Sequence, residues 1–301
     1  MLTEILEMGF THVELGYDLR LDLVPGVKKL VAQNAVKVDS LHNFCPVPIG
    51  APRGHPELFT LADLDHRIRE SAINHTLKTA RFAAEVGARV VVVHAGNVEM
   101  NRMSADLCAL YERGEQFSPA YEKAKLKLQV TREKKARKHL ELLTQSLERL
   151  LPAVAETGVR IALEVLPTWE ALPSEFEMEA LGKQFAAQHL MYWHDIGHAQ
   201  IRQNLGFISQ ERWLERLQPY LAGMHIHDVA APALDHLMPP QGQVDFPRLA
   251  RFAARDILRV FEPASQTPKE NIIEGLRVLR QAWEPRATEQ STNTSKDGYS
   301  L

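Results

Sequence analysis

Short apolar runs alternate with longer helix-like stretches along most of the chain. The clearest run, ARVVVVHAG at 88–96, is apolar on both faces, as expected of a strand buried in a parallel sheet. Helix-like stretches occupy 24–34, 65–86 and 103–157. The predicted strands are 11–16, 36–42, 88–96, 159–167, 190–195, 221–228 and 257–263. This alternation predicts a parallel sheet with helical crossovers.

The fold that we expect is a (β/α)8 barrel, the TIM barrel, in which seven strands can be assigned. The chain opens with ILEMGF, which is typical of a helix end that leads into a strand. A barrel of eight would need its first strand upstream of Met1, so we expect that strand to be missing. The alternative is an open doubly wound sheet. No GxGxxG follows the first predicted strand, which weakens a dinucleotide-binding version of that alternative.

The domain organisation follows from composition. With 301 residues, of which 45% are hydrophobic, the chain can build one large core. We expect one barrel domain over 1–285. The final stretch, ATEQSTNTSKDGYSL, is nearly without apolar residues, and we expect 286–301 to be a disordered tail.

The overall charge and the cysteines limit the classes of function. A formal net charge of -3 does not call for nucleic acid or a membrane surface as partner. The apolar runs are too short to span a bilayer, and the N-terminus lacks the features of a secretory signal. Cys45 and Cys108 form no CxxC motif, which is typical of reduced thiols in a cytoplasmic protein.

Histidines and carboxylates collect at the C-terminal ends of the predicted strands. In a TIM barrel these ends line the mouth of the active site. One histidine at a strand end is more often structural than functional, but the coincidence recurs on consecutive strands. The residues concerned are Glu14, His42, His94, Glu164, His194, Asp195, His198, His225, His227, Asp228 and Glu262.

Four of these residues recur at the spacing of one strand–helix repeat. Intervals of 31, 30 and 37 residues separate Glu164, Asp195, His225 and Glu262. Each side chain ends an apolar run, where an unpaired carboxylate would be costly without a cation. Three oxygen donors and one imidazole suit Mn²⁺, Co²⁺, Mg²⁺ or Zn²⁺. The pattern therefore predicts a divalent metal site.

A series of short motifs, in a fixed order from about Leu2 to Ala282, resembles a known protein family. The motifs are EMGFTHVEL, VVVHAG, ALEVLP, HDIGHA, GMHIHD, DHLMPPQGQVDF and VFEP. In this order, each at a strand end, they resemble the xylose isomerase-like barrel superfamily. That superfamily contains sugar and sugar-phosphate isomerases and epimerases, inosose dehydratases and the apurinic endonuclease IV family.

The resemblance implies a divalent-metal-dependent isomerase or epimerase of a sugar or sugar phosphate. The metal ligands would be Glu164, Asp195, His225 and Glu262, and proton transfer would pass through a metal-stabilised enediolate. Glu164 and Glu262 would also be the catalytic acid and base, and His198 would hold a substrate hydroxyl or move its proton. The candidate substrate-binding residues are Glu14, His94, His227 and His236. Related barrels commonly dimerise, which makes a homodimer possible.

Three alternatives stay open. An endonuclease IV-like enzyme would cleave abasic DNA with two or three zinc ions, using His42, His94, His198 and His236, with the basic helix 123–138 as a DNA contact. The endonuclease pattern has an Asp two residues before the loop histidine, where this chain has Leu234. An inosose dehydratase-like lyase and a barrel that only binds a ligand are the others.

Overall fold

The computed structural model describes residues 2–253 and 256–283, and the predicted tail at 286–301 lies outside them. Val90–Val93, a run of four valines, forms a strand in which no residue is more than 1% exposed. β-branched residues favour extended backbone, and burial on both faces suits the centre of a parallel sheet. The strands are β1 His12–Leu15, β2 Lys37–His42, β3 Val90–Val93, β4 Gly96–Asn97, β5 Arg160–Glu164, β6 Ala171–Leu172, β7 Met191–Asp195, β8 Leu221–Ile226, β9 Asp228–Ala230, β10 Leu234–Leu237 and β11 Leu258–Phe261.

Seven of these strands form one parallel sheet in the order β1-β2-β3-β5-β7-β8-β11. The sheet curls into a nearly closed barrel with helices around it, so the predicted seven-stranded TIM barrel is confirmed. Within the described residues, β1 and β11 are the two ends of the sheet. A cavity of about 180 Å³ lies between them, lined by Phe10, Val13 and Val260 among others.

The helices are α1 Leu2–Glu7, α2 Val24–Ala32, α3 His66–Val86, α4 Met103–Glu112, α5 Pro119–Ala155, α6 Glu175–Gln184, α7 Ile196–Asn204, α8 Gln210–Leu217, α9 Phe246–Leu249 and α10 Lys269–Trp283. The helical region predicted over 103–157 consists of two helices, because the chain breaks between α4 and α5. Gly114 there adopts a φ of 74°, and Pro119 starts α5 behind the capping side chain of Ser118.

A small apolar cluster, which we call the second core, stands apart from the main barrel core. It joins α4, the start of α5, the end of α7 and β9. Its buried members are Leu107, Tyr121, Leu128, Ile201, Leu205 and Val229. Since α7 and β9 both directly follow C-terminal strand ends, the second core covers one side of the barrel mouth.

Two antiparallel strand pairs that the sequence pattern did not reveal flank the mouth. Strand β4 pairs with β6, and β9 pairs with β10. The strands contain two to four residues each, too few to show a period. In the described part of the chain, no helix combines the length and apolarity needed to cross a membrane.

Candidate active site

Four predicted ligands meet at the C-terminal ends of neighbouring strands. Glu164 ends β5, Asp195 ends β7, His225 lies one residue before the end of β8, and Glu262 directly follows β11. One potential ligand atom from each lies within 4.8 Å of the others. The strand-end alignment expected from their sequence spacing therefore brings these four side chains together, and we call them the four-residue cluster.

The orientation of His225 is fixed from behind by Glu14. The His225 Nε2 atom lies 2.9 Å from Glu14 Oε1, and the Ser40 hydroxyl donates to Glu14 Oε2 at 2.6 Å. A carboxylate acceptor holds the imidazole proton on Nε2 and leaves the Nδ1 lone pair for a ligand. The sequence predicts a substrate contact for Glu14, whereas the structure places its carboxylate behind the imidazole.

Carboxylate oxygens surround the Nδ1 atom of His225. The distances are 3.2 Å to Glu164 Oε1, 3.6 Å to Asp195 Oδ2 and 3.3 Å to Glu262 Oε2. His225 and Asp195 are fully buried and Glu164 is 1% exposed. Two buried carboxylates and one partly buried carboxylate face one nitrogen, and such a group of negative charges requires a positive partner.

The Glu164 carboxylate lies among histidines from several strands. Its Oε2 lies 3.0 Å from His42 Nε2 and 3.1 Å from His94 Nε2. Burial alone would raise the pKa of Glu164, but His225 and His94 hold it well below its ordinary value. Glu164 is therefore ionised at neutral pH, as a metal ligand must be.

Glu262 is more accessible than the other three members of the cluster. Its side chain is 28% exposed, and its buried Oε2 has no hydrogen-bond partner among the described residues. Its backbone carbonyl lies 3.1 Å from His236 Nδ1, which fixes the proton on that nitrogen. A buried carboxylate oxygen without a donor is expected where a cation or a substrate hydroxyl supplies the missing partner.

Asp195 divides its two oxygens between helix α7 and the cluster. Its Oδ1 accepts from the backbone N–H of His198 at 2.7 Å and so caps the helix. Its Oδ2 faces His225 Nδ1. The His198 Nδ1 atom lies 3.0 Å from the Val165 carbonyl, which leaves the His198 Nε2 lone pair for another partner.

His227 supports Asp195 from inside the protein. Its Nδ1 accepts from the His236 backbone N–H at 2.9 Å, so its Nε2 carries the proton and faces Asp195 Oδ1 at 2.9 Å. A Cβ on Gly197 would come within 2.0 Å of the His227 ring, which explains the glycine of HDIGHA. The sequence predicts that His227 binds substrate, but the side chain is fully buried beneath the mouth.

The cluster fits a divalent cation. It offers carboxylate oxygens and one imidazole nitrogen, all close enough to share one ion, and both the Nδ1 lone pair of His225 and the unpartnered Oε2 of Glu262 need a positive partner. Oxygen-rich sets with one imidazole suit Mg²⁺, Mn²⁺, Co²⁺ and Zn²⁺.

Two further groups have spacings compatible with a metal. His42 and His94 form one with Glu164, and His198, His227 and His236 form the other. The second group is weaker, because both nitrogens of His227 already have hydrogen-bond partners. The sequence places His42 at a strand end and assigns it a metal only through the endonuclease resemblance; in the structure it is 3% exposed and adjoins the cluster.

A cavity of about 720 Å³, which we call the mouth cavity, opens beside the cluster. His94 and His198 line it near the cluster, as expected for residues that meet substrate. Sequence patterns did not reveal several other lining residues, because they lie on loops, on the short strand β4 and on α4, away from the ends of the barrel strands. These are Glu57, Asn97, Arg102, Ser104, Cys108 and Glu170.

Comparison with known families agrees with this geometry. A family model described as xylose isomerase-like TIM barrel matches residues 2–282. The chain belongs to this family. The resemblance inferred from the motifs is thus confirmed over nearly the whole chain, while no curated protein sequence matches it.

Three solved structures illustrate the shared fold. A D-tagatose 3-epimerase-like protein is 17% identical with a TM-score of 0.67, covering 94% of this chain and 91% of its own. A 3-keto-D-glucoside 4-epimerase from E. coli is 17% identical with a TM-score of 0.64, covering 93% and 92%. A D-psicose 3-epimerase from Clostridium cellulolyticum H10 is 12% identical with a TM-score of 0.62, covering 94% and 92%. At these identities the comparison establishes the fold.

Proposed function

We propose that this protein is a divalent-metal-dependent isomerase or epimerase of a sugar. The observation that carries the proposal is the convergence of Glu164, Asp195, His225 and Glu262 on one point at the barrel mouth. The similar structures named above are sugar epimerases or resemble one, and their names include both free ketoses and a keto-glucoside. The reaction would be a proton transfer at the carbon next to the sugar carbonyl.

A divalent cation in the four-residue cluster would polarise the carbonyl and neighbouring hydroxyl oxygens of the sugar, which makes the intervening carbon acidic and stabilises the enediolate. Glu262 is suited to remove the proton, because its Oε2 has no hydrogen-bond donor among the described residues. Glu164 is ionised at rest, so it would return to the sugar a proton that it first receives from the charged His94 imidazole, 3.1 Å away. Return to the same carbon gives the epimer, and return to the neighbouring carbon gives the isomer.

His198 would hold a substrate hydroxyl. It lines the mouth cavity, and its Nδ1 is occupied by the Val165 carbonyl, so its Nε2 is the nitrogen that remains for substrate. His94 would contact the sugar on the side of β3. Burial alone lowers the pKa of His94, but Glu164 and Glu57 raise it to about 9, which favours a charged donor.

The proposal is tested by two measurements on the same preparation. We expect close to one Mn, Co, Mg or Zn per chain by elemental mass spectrometry, lost in Asp195→Ala. We also expect the metal-loaded protein to exchange the α-proton of D-tagatose or D-psicose with D₂O, observed by NMR. Glu164→Gln and Glu262→Gln should each abolish that exchange, whereas the exposed Glu85→Gln should not. Normal exchange in either cluster variant would refute the two-base scheme.

A second candidate is phosphodiester cleavage at abasic sites of DNA by several zinc ions. The observation in its favour is the group formed by His42, His94 and Glu164 beside the main cluster. Leu234 at the place of an endonuclease carboxylate and the net charge of -3 weigh against it. Two or three zinc ions per chain, with partial loss in His42→Ala, would favour this candidate over the sugar enzyme.

A further inference from the structure

The mouth cavity is larger than a monosaccharide needs. A hexose has twelve heavy atoms, and at the roughly 30 Å³ that liquid water occupies per heavy atom it needs at most about 360 Å³. The mouth cavity measures about 720 Å³. A sugar placed at His94 and His198 would leave about half of the space for another group.

The two parts of the mouth cavity differ in chemistry. Near the cluster the wall carries hydrogen-bonding side chains, including His94, Asn97 and His198. The wall formed by α4 and the second core, which we call the far wall, is mainly apolar, with Ser104 and Glu112 as its polar residues. Its apolar residues are Met100, Ala105, Cys108, Ala109, Ile201 and Leu205. A ligand that fills both parts is polar at one end and apolar at the other.

The charges around the mouth cavity disfavour an anionic ligand. Among its described lining residues are four carboxylates, three histidines, one arginine, Arg102, and no lysine. His94 and His198 lie 3.1 Å and 3.5 Å from carboxylate oxygens of Glu164, so their positive charge is already balanced. Asn97 donates to Glu57, and Ser104 donates to Glu170 through its backbone and hydroxyl, so both carboxylates are held in place as acceptors. A phosphate would face repulsion that one exposed arginine does not offset.

We propose that the ligand of the mouth cavity is a glycoside whose sugar ring bears a ketone: the sugar unit lies at the cluster and carries an uncharged, largely apolar aglycone against α4 and the second core. This inference rests on the proposed function for the sugar end. The assignment of the aglycone has independent support, namely the size of the mouth cavity, its apolar far wall and its acidic lining.

The test compares binding of three probes to the metal-loaded protein by calorimetry. Methyl β-D-glucopyranoside and 4-nitrophenyl β-D-glucopyranoside share one sugar and differ in the aglycone, and glucose 6-phosphate adds a charge. We expect the nitrophenyl glucoside to bind at least about tenfold more tightly than the methyl glucoside, as burial of an aromatic ring allows. We expect glucose 6-phosphate to bind no more tightly than the methyl glucoside.

Variants of α4 locate the aglycone. Ala109→Trp fills the far part of the mouth cavity and should remove the preference for the nitrophenyl glucoside. Ala105→Phe is a second variant at an exposed position of the same wall, in case the larger substitution impairs folding. Asp106→Trp lies on α4 outside the cavity lining and is the matched control, which should keep the wild-type preference.

The outcomes separate this inference from the proposed function. Proton exchange of a free ketose without any aglycone preference would overturn the inference and leave the function standing. A preference that Ala109→Trp removes, in a protein without proton exchange on any keto sugar, would support the cavity assignment and overturn the function. Tighter binding of glucose 6-phosphate, or a preference unchanged in both cavity variants, would overturn the inference.

Discussion

Glu14 Oε1 lies 2.9 Å from His225 Nε2, on the side of the imidazole opposite the three carboxylates of the cluster. The pair joins β1 to β8, and Ser40 on β2 extends it by one more hydrogen bond. Such an outer carboxylate fixes the tautomer of a ligating histidine and raises its basicity. In this chain that role falls to the first strand of the sheet.

We therefore predict that Glu14→Ala weakens metal binding about 10- to 100-fold, the usual cost of losing such a partner. Without the carboxylate, the His225 ring can rotate and its proton can move to Nδ1. Titration calorimetry with Mn²⁺ measures the change in Kd. Glu85→Ala, which removes an exposed ion pair with Lys28, is the control. Equal Kd values in the two variants would contradict this role.

Gly197→Ala should disturb His227 and, through it, Asp195. The new methyl group would lie 2.0 to 2.7 Å from three atoms of the His227 ring, which has no room to move inside the protein. Overpacking of this kind costs about 1–3 kcal/mol in the free energy of unfolding, measured by urea denaturation. Gly26→Ala is the matched control, because a Cβ there meets no atom within 4 Å. A loss of stability no larger than that of the control would rule out the steric argument.

Asp228 holds the loop that follows β10. Its carboxylate accepts backbone N–H groups of Val229, Gly242 and Val244 at 2.7 to 3.0 Å. Asp228→Ala leaves these buried donors without an acceptor, and we expect the free energy of unfolding to fall by about 3 kcal/mol. Asp22→Ala at an exposed position should change it by less than about 0.5 kcal/mol. Chemical denaturation of both variants checks the difference.

The ion pair between Glu177 and Arg132 makes stability depend on pH. Burial alone would raise the pKa of Glu177, but hydrogen bonds from Arg132 lower it below the ordinary 4.5. A lowered folded-state pKa stabilises the protein above pH 4.5, and the contribution is lost as the pH falls through the folded-state value. Wild type should therefore exceed Glu177→Gln in melting temperature at neutral pH, with the gap closing below pH 4.5. A gap independent of pH would contradict this, and Glu148→Gln serves as the control.

Much of the framework was predictable because the barrel strands are continuous apolar runs. The strand predicted at 190–195 is observed as Met191–Asp195, and the one predicted at 36–42 as Lys37–His42. The convergence of the four ligand candidates was also predictable, since parallel strands of one sheet end at one edge.

The outer partners of the cluster were not predictable in the same way. Glu14 and His227 occupy strand ends, and the sequence alone cannot tell whether such a side chain faces substrate or supports a ligand. For Glu14 the distinguishing contact is its hydrogen bond with His225, a residue 211 positions away in the sequence. The role of Arg132 was not predictable either. The basic stretch 123–138 reads as a solvent-exposed helix face, but Arg132 is buried in it and binds Glu177.

The open edge between β1 and β11 lies next to the outer partner of the four-residue cluster, because Glu14 is on β1. In the described sheet β1 forms its ladder with β2 alone, so it can separate from the barrel at a lower free energy than a strand paired on both sides. That opening would carry Glu14 away from His225. By mass action, a cation that favours the closed form would add about 2.7 kcal/mol to the opening free energy at a hundred times its Kd. Amide hydrogens of β1 would then exchange more slowly as the metal concentration rises. The exchange rate of this strand would therefore report the fraction of protein that has bound metal.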